Sequence, residues 1–199
     1  MPAIAITGTI GSGKSSALSL LGELLSSTIY NADLENRKLL DTDTEVRELI
    51  RSAFGDSCFN ESGKPNRKHL FELITSDQSA KALLEGILHP RLENVWKPLA
   101  HKAKGTKSDY FIAEIPLLYE KDLEHFFDTT ILVSCSDSVR KERLKISRKL
   151  SHQETSAWLK NQTPQEQKIT LADHLLWNDA APSMLELQIR QVLPILKNL

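Results

Sequence analysis

The chain has 199 residues, about 40% of them hydrophobic and 26% charged, which fits one compact domain with inserted segments and a core that needs no disulfide or structural metal. Its formal net charge of −1 lacks the basic excess of a dedicated nucleic-acid binder, so no nucleic-acid partner is expected. Cys58 and Cys135 lie far apart and in no metal-ligand spacing, so two buried free thiols in a reducing cytosol are expected rather than a disulfide.

The opening Met-Pro-Ala-Ile-Ala-Ile has no basic flank, and its apolar run ends at Gly8, too short for a signal peptide or a membrane span. A cytoplasmic protein is therefore expected, with the Asn-x-Ser/Thr patterns at Asn60 and Asn161 arising by chance. Residues 3–7 read as a short buried strand. Ser15 to Leu25 carries leucines at 18, 20, 21, 24 and 25 in helical spacing, and Thr28–Asn31 reads as a second strand. From Asp33 to about Lys107 the pattern is helical, with Thr42-Asp-Thr-Glu45 as a capping box and a break from Gly55 through Asn60–Pro65. Tyr110–Ile115 and Thr129–Ser134 are strands, and Ser136–Lys149 is a basic helix. Ser151-His-Gln-Glu154 and Thr163-Pro-Gln-Glu166 read as further capping boxes, the latter with Pro at the first helical position. His174–Trp177 is the fifth strand and Pro182–Leu196 a closing amphipathic helix. Continuous apolar strands separated by helices predict an α/β fold with a parallel sheet covered on both faces.

Gly8-Thr9-Ile10-Gly11-Ser12-Gly13-Lys14-Ser15 fits Gly, four residues, Gly, Lys, Ser/Thr, and it follows a strand and opens a helix. That context points to a phosphate-binding loop. Backbone N–H groups must face phosphate oxygens, the glycines permit the dihedrals, and the helix directs its positive end at the same anion. Lys14 is expected to reach the β and γ phosphates and Ser15 to coordinate Mg²⁺, which makes ATP and Mg²⁺ the expected cofactors. Gly8, Gly11, Ser12, Gly13 and Ser16 complete the expected nucleotide cradle. An Asp-x-x-Gly turn, which a GTPase switch would need, occurs nowhere. Thr106-Lys-Ser-Asp109 resembles a guanine-reading tetrapeptide but precedes a strand, and reads as a solvated turn.

Asp33 lies just beyond the second strand, where a carboxylate could accept the proton of an attacking hydroxyl or simply cap a helix. The run from Arg140 to Lys149 places Arg140 and Arg143 on one helical face. Those arginines could spread the charge of a transferring phosphoryl group in a lid, or form a solvated basic face. A nucleic-acid patch is disfavoured because no aromatic residue is interleaved.

Together these motifs resemble the dephospho-CoA kinase family along nearly the whole chain. The resemblance rests on the loop Thr7–Ser16, Asn31-Ala32-Asp33 with Arg37, His89-Pro90, and Glu114-Ile-Pro-Leu-Leu-Tyr-Glu120. Arg143-Leu144, Gln162, Lys168, Ala172-Asp173 and Asn178 follow in order. It implies a P-loop, adenylate-kinase-like three-layer α/β/α fold on a five-stranded parallel sheet, with core segments 1–33, 109–137 and 166–199. Residues 34–108 would be a helical CoA-binding insertion and 138–165 a lid. It implies transfer of the ATP γ-phosphate to the ribose 3′-hydroxyl of 3′-dephospho-CoA, with Asp33 as base and Lys14 and Arg143 on the phosphoryl group. Arg37, His89 and Leu117 would lie on the substrate side, Asn178 by the nucleotide, and Glu114 near the metal through water. The chain departs from the family pattern at Asn31 and Glu114, where Asp is usual. It also departs at Ser147 and Trp158, where lid arginines are usual, and at Asp179-Ala180, which stand in place of a Gly. Arg140 and Arg148 are the candidates to replace the missing lid charge. Two other readings stand beside this one: another small-molecule P-loop kinase, or a nucleotide-binding module weakened in catalysis.

Overall fold

The apolar runs form five parallel strands in the computed structural model, which describes residues 2–104, 109–148 and 164–199. The strands are β1 (Ala3–Thr7), β2 (Ser27–Asn31), β3 (Tyr110–Glu114), β4 (Thr129–Ser134) and β5 (His174–Trp177), in the order β2-β3-β1-β4-β5. Every residue of β1, β3 and β4 is buried, as strands covered on both faces must be. The chain steps from β1 to one side of the sheet and later returns to β4 on the other. The carboxyl end of β1 is therefore a switch point, where α/β folds hold their ligands.

Directly after that switch point comes α1 (Lys14–Leu24). Ala17, Leu18 and Leu21 of α1 recur at helical spacing and meet Ile4, Ile6, Ile112, Ile131 and Val133, which alternate along their strands toward one face. The last helix brings Leu185, Ile189 and Leu196 to the same cluster. At the β5 edge the Gln188 amide occupies both main-chain groups of Trp177, donating to its carbonyl at 2.9 Å and accepting from its N–H at 2.8 Å. A row of open strand groups is thereby blunted.

The chain divides into two compact units, Met1–Asn31 with Trp96–Leu199, and Ala32–Val95. The second holds α2 (Ala32–Thr42), α3 (Thr44–Phe54), α4 (Arg67–Ser76) and the first part of α5 (Gln78–Ala103). Its own core is built on Val46, Ile50, Leu70, Leu84 and Leu88. Helix α5 runs through Pro90 without interruption. In the first unit, α6 (Asp137–Arg148), α7 (Gln165–Leu171) and α8 (Pro182–Leu196) follow.

Most expected elements agree within a residue, and β1, β4, β5 and the final helix agree to the residue. The capping box at Thr42 is displaced. Thr42 ends α2, donating its hydroxyl to Lys38 O at 2.8 Å, and Asp43 caps α3 by accepting from the Val46 N–H at 3.0 Å. With two adjacent capping residue types, the helix starts at the one whose carboxylate is anionic, because the helix end is positive. Pro164 is likewise the cap and not the first residue of its helix, which opens at Gln165, one residue later than expected. The Ser151–Glu154 box, Trp158, Asn161, Gln162, Thr163 and Thr106–Ser108 lie outside the described residues, as do the side chains of Ser147 and Arg148. Both cysteines are free and buried.

Asp43→Ala should lower stability in urea denaturation by about 1 kcal/mol, and Thr42→Ala by less than about 0.5 kcal/mol. Equal effects would return the cap to Thr42.

Candidate active site

The Gly8–Ser15 turn links the central strand to α1, and its shape follows from what crowds it from behind. Gly8 has φ 151°, and a Cβ there would run into the Val133 carbonyl of β4. Gly13 has φ 98° and caps α1, and a Cβ there would run into the Asn178 amide. Only glycine meets both conditions, a left-handed backbone and no room for a side chain. Helix α1 carries no acidic residue in its first turn, so its positive end is left for an external anion.

The loop's carbonyls are held by donors. Ser12 O accepts from Asn178 Nδ2 at 2.8 Å and from Arg143 Nη1 at 3.4 Å. Thr9 O accepts from Lys14 Nζ at 3.2 Å. The buried Cys135 thiol lies 3.9 Å from Gly11 O, and burial pushes its pKa up against the opposing pull of Arg143. Among the described residues, the hydroxyls of Thr9 and Ser12 are buried without a hydrogen-bond partner. Unsatisfied groups of this kind lining an anion site are suited to a ligand.

On the other side of the turn, the Ser15 hydroxyl donates to Glu114 Oε2 at 3.0 Å, and Asn31 Nδ2 donates to the same oxygen at 2.8 Å. Glu114 is only 2% exposed. A hydroxyl beside a buried carboxylate is a hard-oxygen set of the kind Mg²⁺ takes, together with phosphate and water. The residues present fit that ion.

The two arginines of α6 have different surroundings. Arg143 extends its guanidinium to the loop, with Nη1 near Ser12 O. Arg140 is buried, its stem packs over Gly11, and its guanidinium is tied to Asp137 at 2.6 Å. Asn178 is 7% exposed and supports the loop from below. Asp179 accepts from the Ser136 N–H at 2.6 Å, which holds its carboxyl below the usual range. In the sequence, Asp179 stands out only as a departure from the family pattern. The signal available was an Asp just past a strand end, a position suited to bonding a neighbouring backbone N–H.

In the sheet unit, the structure brings Gly8, Gly11, Ser12, Gly13, Lys14, Ser15, Asn178, Arg140 and Arg143 around one turn, with Glu114 beside Ser15. Ser16 is exposed on α1, and Leu117 is half-buried in the crossover after β3. Asp33 is the second residue of α2, exposed within its first turn rather than at the cap, and Arg37 is exposed one turn on. His89 is half-buried on α5. Farther from the loop, Lys168 is fully buried and pairs with Glu120 at 2.7 Å.

A phosphate loop after the central strand, on a five-stranded parallel sheet of this order, defines a P-loop kinase of the adenylate-kinase-like class. Residues 2–183 match the family model for dephospho-CoA kinase. The chain is 30% identical to a dephospho-CoA kinase of Staphylococcus haemolyticus over 190 residues, covering 96% of this chain and 93% of that one. Among solved structures, TT1252 from Thermus thermophilus superposes with a TM-score of 0.74 at 28% identity, covering 98% of this chain and 97% of that one. A dephospho-CoA kinase from Campylobacter jejuni gives 0.67 at 25% identity, with the same coverage. The chain belongs to the dephospho-CoA kinase family, and is a kinase that moves phosphate from ATP to an alcohol.

Gly13→Ala should cost about 1–3 kcal/mol of backbone strain and weaken ATP binding at least about tenfold, as read by calorimetry. Asn178→Ala should weaken it less, because the loop keeps its glycine and loses one hydrogen bond of about 1 kcal/mol.

Proposed function

We propose that the protein transfers the γ-phosphate of ATP to the ribose 3′-hydroxyl of 3′-dephospho-CoA, giving ADP and CoA. The observation that carries this reading is the Gly8–Ser15 turn with Lys14 and Arg143 on it and Ser15 bonded to Glu114, in a chain of this family. Asp33 takes the proton of the 3′-hydroxyl as the new O–P bond forms, and the bond from the γ-phosphorus to the bridging oxygen breaks, releasing ADP. Lys14 and Arg143 offset the negative charge that spreads over the phosphoryl oxygens. Arg140 sets the position of the loop through Gly11. Arg37, His89 and Leu117 hold the acceptor.

Ser15, with Glu114 bonded to its hydroxyl, would hold Mg²⁺, which would supply neutralisation of phosphate charge. Asn178 and Ser16 complete the nucleotide side. A cytoplasmic location belongs to the same reading. Among the described residues no helix is long and apolar enough to cross a membrane.

An acceptor panel tests this reading. Purified protein with Mg²⁺-ATP should release ADP on adding dephospho-CoA and not on adding shikimate, nucleosides or nucleoside monophosphates. No ADP with dephospho-CoA would reject the acceptor.

Two variants test the roles. Asp33→Asn should lower kcat by roughly 10²–10⁴-fold with nucleotide affinity kept. Lys14→Ala should cost several kcal/mol in kcat/KM, on the order of other lost transition-state donors. Near-normal transfer by either variant would remove that residue from the mechanism.

A further inference from the structure

We infer that Asn31 is a positioning residue for Glu114: its side-chain amide fixes the carboxylate that accepts the Ser15 hydroxyl's hydrogen bond when that hydroxyl binds Mg²⁺ through a lone pair. The inference rests on the reading of Ser15 as the Mg²⁺ ligand, and deepens it.

Asn31 and Glu114 are the last residues of β2 and β3, and they are register partners in the parallel ladder. Neighbouring strands stand about 4.8 Å apart, so these two side chains leave the same edge of the sheet side by side. Asn31 Nδ2 meets Glu114 Oε2 at 2.8 Å, and Ser15 Oγ meets the same oxygen at 3.0 Å. A carboxylate oxygen has two lone-pair sites, enough for both of these donors. A serine hydroxyl has one proton and two lone pairs, so binding a cation through a lone pair leaves the proton in need of an acceptor. Glu114 Oε2 is already in that position.

The amide matters for two physical reasons. A carboxylate 2% exposed needs hydrogen bonds to offset lost hydration, and a donor from the adjacent strand provides one that does not depend on the nucleotide. The longer Glu side chain also has rotamer freedom to lose, and a second donor on the same oxygen narrows it. A carboxamide does this without adding charge. An acid at position 31 would set a second acceptor against Glu114, and an alanine would remove the donor that the adjacent strand supplies.

The test reads metal binding and needs no catalysis. Mg²⁺ is titrated into protein saturated with a fluorescent, non-hydrolysable ATP analogue, with no acceptor present. Asn31→Ala should raise the half-saturating Mg²⁺ concentration by about tenfold, the loss expected for one hydrogen bond to a charged group. Metal-free affinity for the analogue should stay within about twofold. Asn31→Asp, which keeps the shape and replaces the donor by an acceptor, should raise it at least as far. On a Glu114→Gln background, Asn31→Ala should add little, since its effect runs through the carboxylate. Equal loss of metal-free binding, or additive effects in the double variant, would overturn the inference. A wild-type protein that gains from Mg²⁺ beside an Asn31→Ala protein that gains equally would overturn it alone. A wild-type protein with no gain would overturn the Mg²⁺ assignment as well, leaving the acceptor panel to judge the substrate separately.

Discussion

A turn can present its N–H groups to an anion only if its carbonyls are held facing the other way. That constraint governs the site. Thr9 O is held by Lys14 and the Ser12 N–H, Ser12 O by Asn178 and Arg143, and Gly13 O by the Ser16 and Ala17 N–H groups of α1. The holders come from α1, from α6, and from the residue after β5, so the loop's shape depends on distant parts of the chain. Packing the sheet and making the phosphate cradle are one event. This is why the core of β1, β4, β5, α1 and α8 matters for function: it sets where the holders meet the loop.

The same constraint explains the contrast between the arginines of α6. A guanidinium is well suited to a phosphate, but it is also a long apolar stem with a charged head. Arg140 uses the stem to cover Gly11 and gives its head to Asp137, whereas Arg143, one helical step on, gives its head to the loop. The helical spacing places both on one face, and the choice between them is made by Asp137, whose position three residues before Arg140 offers an intrahelical partner. Charge alone did not distinguish them.

What was legible in the sequence was whatever is local. The Gly-x₄-Gly-Lys-Ser turn, the β-branched β4 and the leucines of α1 each report their structure within a few residues, and each appears where expected. The start of α3 was misplaced because Thr42 and Asp43 are both good caps, and the decision lies in which side chain meets an open N–H. The roles of Asn178 and Asp179 were harder to see. Their partners, Ser12 and Ser136, are far away in the chain, and a one-dimensional pattern does not record which strand end faces which loop.

Asn31 and Glu114 show the same limit from the other side. Taken singly, each is a departure from the family pattern: an amide for an acid, and a longer acid for a shorter one. The register of β2 on β3 makes them partners, separated by 83 positions in the chain and joined at 2.8 Å. A Glu arm reaches one bond farther than an Asp arm, and a reach of that kind is useful only if something holds its end. Two donors on Oε2 supply the hold, one from the loop and one from the neighbouring strand. Two substitutions that look like erosion when read in order along the chain therefore form a single arrangement in space. In a parallel sheet the unit that carries chemistry is the pair of strand ends, and a residue's meaning depends on its neighbour across the ladder more than on its neighbour in the chain.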